Sequence, residues 1–532
     1  MLLSSVLALT AQASCDVTVI EGRVELPTMT HEAIAMSQGR VRLVGSRDEM
    51  PATPANCRIT LPETQTVFPG LTDAHAHLLG IGLREMNLNL DQARSVTDVQ
   101  ASLAAQAESQ PEGVIIGRGW IETGWPEGRP LQKGDLDAVV ADRPVMLTRA
   151  DGHAMAVNTA ALEAAGITAN TEDPVGGRIV RDSMGQATGY LIDAAMELMA
   201  PLAPELTMER RREALRLGAQ TYAARGWTAL HNMSVDGRDL ALLEELAAAG
   251  ELPVRVTNFV VPEAMDQLIE DGPGCDGTGM VCHLGVKFYV DGALGSRGAL
   301  LKEPYSDEPG TIGLRLLTQE DAMVAYRRAA EGGLQITTHA IGDQGNLDVL
   351  NWYADIREDF EDVVLRIEHA QIVDPDDLTM FARNGIIASM QPSHAIGDLH
   401  FAPERLGMER LNGAYAWNSL ASAGTLIVFG TDAPVEQGDP RIELYAAHVR
   451  KDLSGFSGEG WHPEEALSRS ETLALFTTSP ALAIGRGGSL GTLAPGFAAD
   501  LSIFEGDPFK GPEHARAVAT FVNGALVSGD LD

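Results

Sequence analysis

The stretch PGLTDAHAHLLG, residues 69–80, sets His75 and His77 one residue apart, with Asp73 on the same alternation. In an extended strand residues i and i+2 share a face, so both imidazoles project together and can hold a cation. Alone, the pair reads equally well as a polar strand end. Four further residues change the balance: Lys287 in LGVKFYVDGA, His339 in LQITTHAIGD, His369 in VVLRIEHAQI and Asp432 in TLIVFGTDAP. Imidazoles and a carboxylate suit Zn²⁺, and a catalytic site leaves one coordination position open. Water with a pKa near 15.7 is a poor nucleophile, whereas water held by zinc ionises near pH 7. The chemistry this set points to is hydrolysis.

Such residues need a scaffold that brings strand ends to one place. From about residue 205 onward, helical and strand patterns alternate, as expected of a parallel sheet with helices outside it. Strand one ends at His75/His77, and seven more follow: WTALHNM, LPVRVTNFVV, LGVKFYVDGA, LQITTHAIGD, VVLRIEHAQI, GIIASMQPSH and TLIVFGTDAP. Eight is the number a closed barrel requires, and reactive groups then sit at the C-terminal strand ends. The fold class read here is α/β, a (β/α)8 TIM-like barrel over 66–84 and 201–486. A further apolar run, RPVMLTRADGH, would be a ninth strand, so 85–200 is read as an inserted α/β lobe. Residues 16–65 and 487–532 are rich in short β runs and turns and read as one small β-sandwich.

Composition narrows the partners. The chain has 532 residues, with Lys plus Arg 39 and Asp plus Glu 74, a formal charge of 39 − 74 = −35. So acidic a chain argues against nucleic acid or anionic membrane, which need clustered positive charge. No segment offers the roughly 20 uninterrupted apolar residues of a membrane span. A small-molecule substrate remains, and the oligomeric state is open, a homo-oligomer included. The apolar start ends in Ala11-Gln12-Ala13, a small-x-small cleavage pattern, so residues 1–13 are expected to be a signal peptide. Four cysteines and no Cys-x-x-Cys pair fit export with disulfides, the preferred pairing being Cys15–Cys57 and Cys275–Cys282. The expected location is periplasmic or secreted, otherwise cytoplasmic.

PGLTDAHAH, VKFYVDGALGSRGA, TTHAIGD, RIEHAQ, ASMQPSH and FGTDAPVE together resemble the amidohydrolase superfamily. Within it they are similar to the YtcJ-like branch that includes N-substituted formamide deformylases, as are GRGWIETGWPEGRPLQKGDLD and RPVMLTRADGHAMAVNTAAL of the inserted lobe. One departure is Glu122, where the branch often has Asp. The resemblance implies a metal-dependent hydrolase of non-peptide carbon–nitrogen bonds, acting on a linear amide such as an N-substituted formamide. The alternatives are a cyclic-amide hydrolase or deaminase of the same superfamily, or a non-catalytic binding protein.

His75, His77 and Asp432 are assigned to the more buried of two Zn²⁺ ions, or other divalent ions, and His339 and His369 to the exposed one. An unmodified Lys287 ammonium would be repelled by two dications. A CO₂-derived carbamate on Lys287 would bridge them, as in related enzymes; the alternative is an unmodified lysine paired with Asp291 or another carboxylate beside a single-metal site. Asp432 is the expected catalytic proton shuttle. His153, Arg297, His394 and Trp120 are expected at the substrate, with Trp125 as a further wall. Asp343, Glu368 and Gln391 are expected to orient the residues beside them, and His231 is undecided.

Overall fold

The computed structural model describes residues 15–122, 124–150, 152, 154–174 and 176–531. The signal peptide expected at 1–13 lies outside them. Eight strands form the central barrel: β1 (Leu71–Ala76), β2 (Trp227–Val235), β3 (Arg255–Val260), β4 (Val281–Tyr289), β5 (Gln335–Ala340), β6 (Leu365–His369), β7 (Ile386–Met390) and β8 (Ile427–Phe429). They pair in parallel in that order, with the short strand Gly274–Cys275 added antiparallel to β4. Residues next to β8 meet β1: the Asp432 N–H donates to the His75 carbonyl at 2.7 Å. Asp73 completes the seam, accepting from Thr431 N–H at 2.9 Å, Thr431 Oγ1 at 2.7 Å and Tyr222 Oη at 2.9 Å. Burial pushes the Asp73 carboxyl up to about 6 against these hydrogen bonds. Asp73 is thus a tie across the barrel seam.

The helix Leu78–Met86 starts directly after His77 and packs on the helix Met208–Arg225. Two glycines allow this approach. A Cβ on Gly82 would stand 1.7 Å from the Ala214 carbonyl oxygen, and one on Gly218 would stand 2.6 Å from that of Leu78. Thr207 caps the second helix by accepting from Arg210 N–H, and Gly226 ends it in the left-handed region at φ 101°. That conformation costs glycine little and other residues more.

Between β1 and β2 lies a six-stranded sheet in the order Gly177–Arg181, Ala187–Asp193, Ala154–Val157, Val145–Arg149, Ile115–Trp120, Leu88–Asn89. Its own apolar core includes Trp120, Leu136 and Leu147. The two ends of the chain meet in one continuous eight-stranded sheet. It curls so that Arg40 bridges Ala498 and encloses Ile20, Ile34, Val67, Ile503 and Phe521. This sheet runs to Pro69, past the boundary expected at residue 65, because Gln65–Pro69 pairs antiparallel with Leu501–Gly506. Disulfides join Cys15 to Cys57 and Cys275 to Cys282, the preferred pairing. Among the described residues, no helix is long and apolar enough to cross a membrane.

Candidate active site

At the C-terminal rim of the barrel the histidines converge. His75 and His369 have ring centroids 4.8 Å apart, His339 and His369 4.5 Å, and His75 and His77 5.5 Å. Asp432 Oδ1 stands 3.0 Å from His77 Nε2 and 3.4 Å from His75 Nε2. His75, His369 and Asp432 each present a ligand atom within 4.8 Å of the others. Asp432 follows β8 in the left-handed region at φ 60°, and His369 ends β6 at φ 77°. Such backbone is uncommon for residues other than glycine and marks positions that the surroundings fix.

Three of the four imidazoles are aimed by a hydrogen bond at their other nitrogen. His75 Nδ1 donates to Glu368 Oε2 at 2.5 Å, His77 Nδ1 to the Met233 carbonyl at 3.0 Å, and His369 Nδ1 to Gln391 Oε1 at 2.8 Å. With Nδ1 protonated, Nε2 is left with a lone pair, the form a metal ligand needs. The Nε2 atoms of His75 and His339 are buried and without a hydrogen-bond partner. Burial pushes the His339 imidazole down to about 3, with the Lys287 charge adding to it, and holds His369 well below its ordinary value, His339 and His75 adding to it. Neutral, buried, unsatisfied nitrogens facing a carboxylate form a cradle that fits a divalent cation.

Lys287 lies within β4, with its Nζ buried, lacking a hydrogen-bond partner, and 4.7 Å above the Tyr289 ring. An amine in that position is costly unless some group satisfies it. Burial acts to raise the Asp432 carboxyl, but the His75 and His77 imidazoles beside it hold it well below the usual range. His394 reaches the same mouth: Gln371 Nε2 donates to its Nδ1 at 3.0 Å, and its Nε2 stands 3.7 Å from both Asp432 Oδ2 and Glu436 Oε1.

Other expected site residues lie elsewhere. Trp120 is no substrate wall: its ring is fully buried in the core of the lobe and Nε1 donates to the Leu147 carbonyl at 3.0 Å. Trp125 packs against it with centroids 6.1 Å apart. Arg297 anchors its loop, bound to Asp307 at 2.8 and 3.2 Å, and does not stand free for a substrate acid. Asp343 orients no histidine, because its Oδ1 accepts from the Lys302 and Gln344 N–H groups at 2.9 and 3.0 Å. Glu122 pairs with Arg149 Nε at 2.8 Å. His153 lies outside the described residues.

Glu368 and Gln391 stand behind His75 and His369 as the sequence led us to expect, but the roles of Asp291 and Arg366 were missed. Asp291 accepts from Leu300, Ile341 and Gly342 N–H groups at 2.8–3.0 Å and brings Oδ1 to 3.4 Å from His339 Nε2. Arg366 donates to Glu368 Oε2 at 3.0 Å and to His231 Nδ1 at 2.9 Å, which places His231 in the inner network. Despite burial, Arg366 and His75 hold the Glu368 carboxyl well below the usual range. Arg366 and Glu368 share a strand face, and that alternation was the available signal.

With this geometry in hand, comparison with known proteins is specific. Residues 64–528 match the amidohydrolase family model. YtcJ of Bacillus subtilis is 34% identical over 522 residues, 93% of this chain and 96% of that protein. The N-substituted formamide deformylase of Arthrobacter pascens is 25% identical over 522 residues, covering 93% and 94%. A metal-dependent hydrolase from Pyrococcus horikoshii superposes with a TM-score of 0.75 at 26% identity, covering 93% and 98%. The chain belongs to the amidohydrolase family and is a metal-dependent hydrolase of carbon–nitrogen bonds other than peptide bonds.

Proposed function

We propose that the enzyme hydrolyses linear amides, N-substituted formamides being the class we favour, with Zn²⁺ held by His75, His77, His339, His369 and Asp432. The observation that carries this reading is the convergence of four imidazoles beside Asp432, with Nδ1 of His75 and His369 tied to Glu368 and Gln391 and Nε2 of His75 and His339 buried without a partner. The full-length similarity to a formamide deformylase supports the substrate class. Two divalent ions, when bound, polarise the carbonyl oxygen and make water acidic near neutral pH.

The chain's own residues supply the rest. Asp432, beside His77 and His75, takes the proton of the attacking water and delivers it to the leaving nitrogen, which is too basic to depart unprotonated. His394 Nε2, across from Asp432 Oδ2, is set to hold the substrate over that carboxylate. Lys287 Nζ forms an N–C bond to CO₂ and releases a proton to solvent. The carbamate so formed converts an unpartnered buried amine into an anionic ligand. Two disulfides support export to an oxidising compartment.

The test is a substrate panel with zinc-loaded protein: N-benzylformamide, a hydantoin, a dihydropyrimidine and an aminopurine. Release of formate and benzylamine, with the ring compounds untouched, is expected. Turnover confined to a ring compound would replace the linear-amide reading, and no turnover of any would favour a binding role.

A further inference from the structure

The face of the barrel opposite the histidines carries a cleft of about 160 Å³. A single water needs only about 10–15 Å³ by the same measure. Arg255, the first residue of β3, and Thr278, just before β4, line it from the barrel. Arg40, Arg486, Ser489 and Asn523 line it from the segments around the end-strand sheet.

Arg255 is neutralised by Asp500, at 2.7 and 3.2 Å. Arg40 and Arg486 have no carboxylate oxygen within 4.0 Å among the described residues. Their guanidinium planes are fixed by carbonyls instead: Arg40 Nη1 donates to Gly496 O at 2.8 Å, and Arg486 Nη1 to Gly279 O at 2.9 Å. The nearby acids are occupied. Asp276 accepts from Thr278 Oγ1 at 2.6 Å and Met280 N–H at 2.9 Å, and Asp500 also accepts from Asn523 N–H at 2.8 Å.

The wall bearing Thr278 and Gly279 is closed by the Cys275–Cys282 disulfide. Burial lowers the proton affinity of Arg486, with Arg255 and, less, Arg40 pushing the same way and the Asp500 and Asp276 carboxylates pushing against them. An anion would relieve both the desolvation and the repulsion. Planar guanidinium forks match tetrahedral oxyanions, while the hydroxyls of the cleft are engaged within the fold, Thr278 Oγ1 donating to Asp276 and Ser489 Oγ to the Arg486 carbonyl.

We propose that this cleft is a second ligand site, separate from the reaction centre, that takes a phosphate group. The group is either free inorganic phosphate or the ester of a small metabolite. Because the cleft joins the end-strand sheet to the barrel, its occupant clamps the two together.

The experiment is calorimetric titration of the metal-loaded, full-length protein with inorganic phosphate and, separately, with glycerol 3-phosphate. Wild type, Arg40→Gln, Arg486→Gln and Ser489→Asp are compared, with melting temperature recorded in each ligand. Arg40 is exposed at a strand edge, so Arg40→Gln tests the site without threatening the fold. Wild type should bind with a rise in melting temperature. Each variant should bind roughly tenfold more weakly or worse, the loss expected for a charge-assisted hydrogen bond, with amide turnover unchanged. Tighter binding of the ester identifies a metabolite, and equal or weaker binding identifies free phosphate. Binding that is the same in all four proteins places the anion at the metal centre and overturns the proposal. Absence of binding of either probe at millimolar concentration overturns it as well.

Discussion

His75 Nδ1 and Glu368 Oε2 are 2.5 Å apart, with both side chains fully buried and the two residues 293 positions apart in the chain. Glu368 is therefore the anchor that sets the tautomer and direction of the innermost imidazole, while Arg366 keeps it ionised. Glu368→Gln retains the shape and removes the charge. It should weaken metal retention and turnover by about 10–100-fold. Metal content after chelator dialysis, with the rate on an amide substrate, checks this; wild-type retention would show that the pair is only a packing contact.

Asp432 is asked to move a proton as well as to face the imidazoles. Asp432→Asn should keep most of the metal and lose about 10²–10⁴ in kcat, the range for a general acid–base group. Loss of metal in proportion to activity would reduce Asp432 to a ligand. Near-normal turnover would remove it from the reaction.

Gly82 controls how closely the helix after His77 approaches the helix Met208–Arg225. A methyl group there meets a backbone carbonyl at 1.7 Å, so the two helices must part. Gly82→Ala should cost about 1–3 kcal/mol or more and lower metal content, because His77 opens that helix. Thermal unfolding and metal analysis together test this. An unchanged melting temperature would mean that the helices adjust freely.

Asp398, at the end of the helix that carries His394, offers a pH signature. Burial pushes its carboxyl up to about 7, against a hydrogen bond from Tyr415 Oη. Between the unfolded value near 3.8 and about 7, the folded protein holds a proton that the unfolded chain has released. Stability must then fall as pH rises through that window. Asp398→Asn keeps an acceptor for Tyr415 and has no proton to lose. Its melting temperature should decline less than that of wild type between pH 4 and 7. Parallel profiles would assign the decline to other groups.

The eight barrel strands and the chemistry at their ends were legible because both are local. Alternating patterns mark each element, and His75, His77, His339, His369 and Asp432 follow from where strands stop. The supporting layer was legible only in part, through Glu368 and Gln391. Asp343 and Asp291 both adjoin strand ends, yet only Asp291 turns to His339, a choice made by loop backbone N–H groups from 300 to 342. Trp120 beside the GW motif looks the same whether it faces substrate or core, and the lobe's own sheet buries it. Arg366 was readable from its i, i+2 relation to Glu368, but its partners His231 and Ser389 come from other strands.

The most direct test of the account is anomalous diffraction from crystals of the zinc-loaded protein. It should show two metal peaks roughly 3.5–4 Å apart. They should lie among the Nε2 atoms of His75, His77, His339 and His369 and the carboxylate of Asp432, with continuous density reaching them from Lys287 Nζ. Metal bound elsewhere, or at this rim by none of those five side chains, would contradict it.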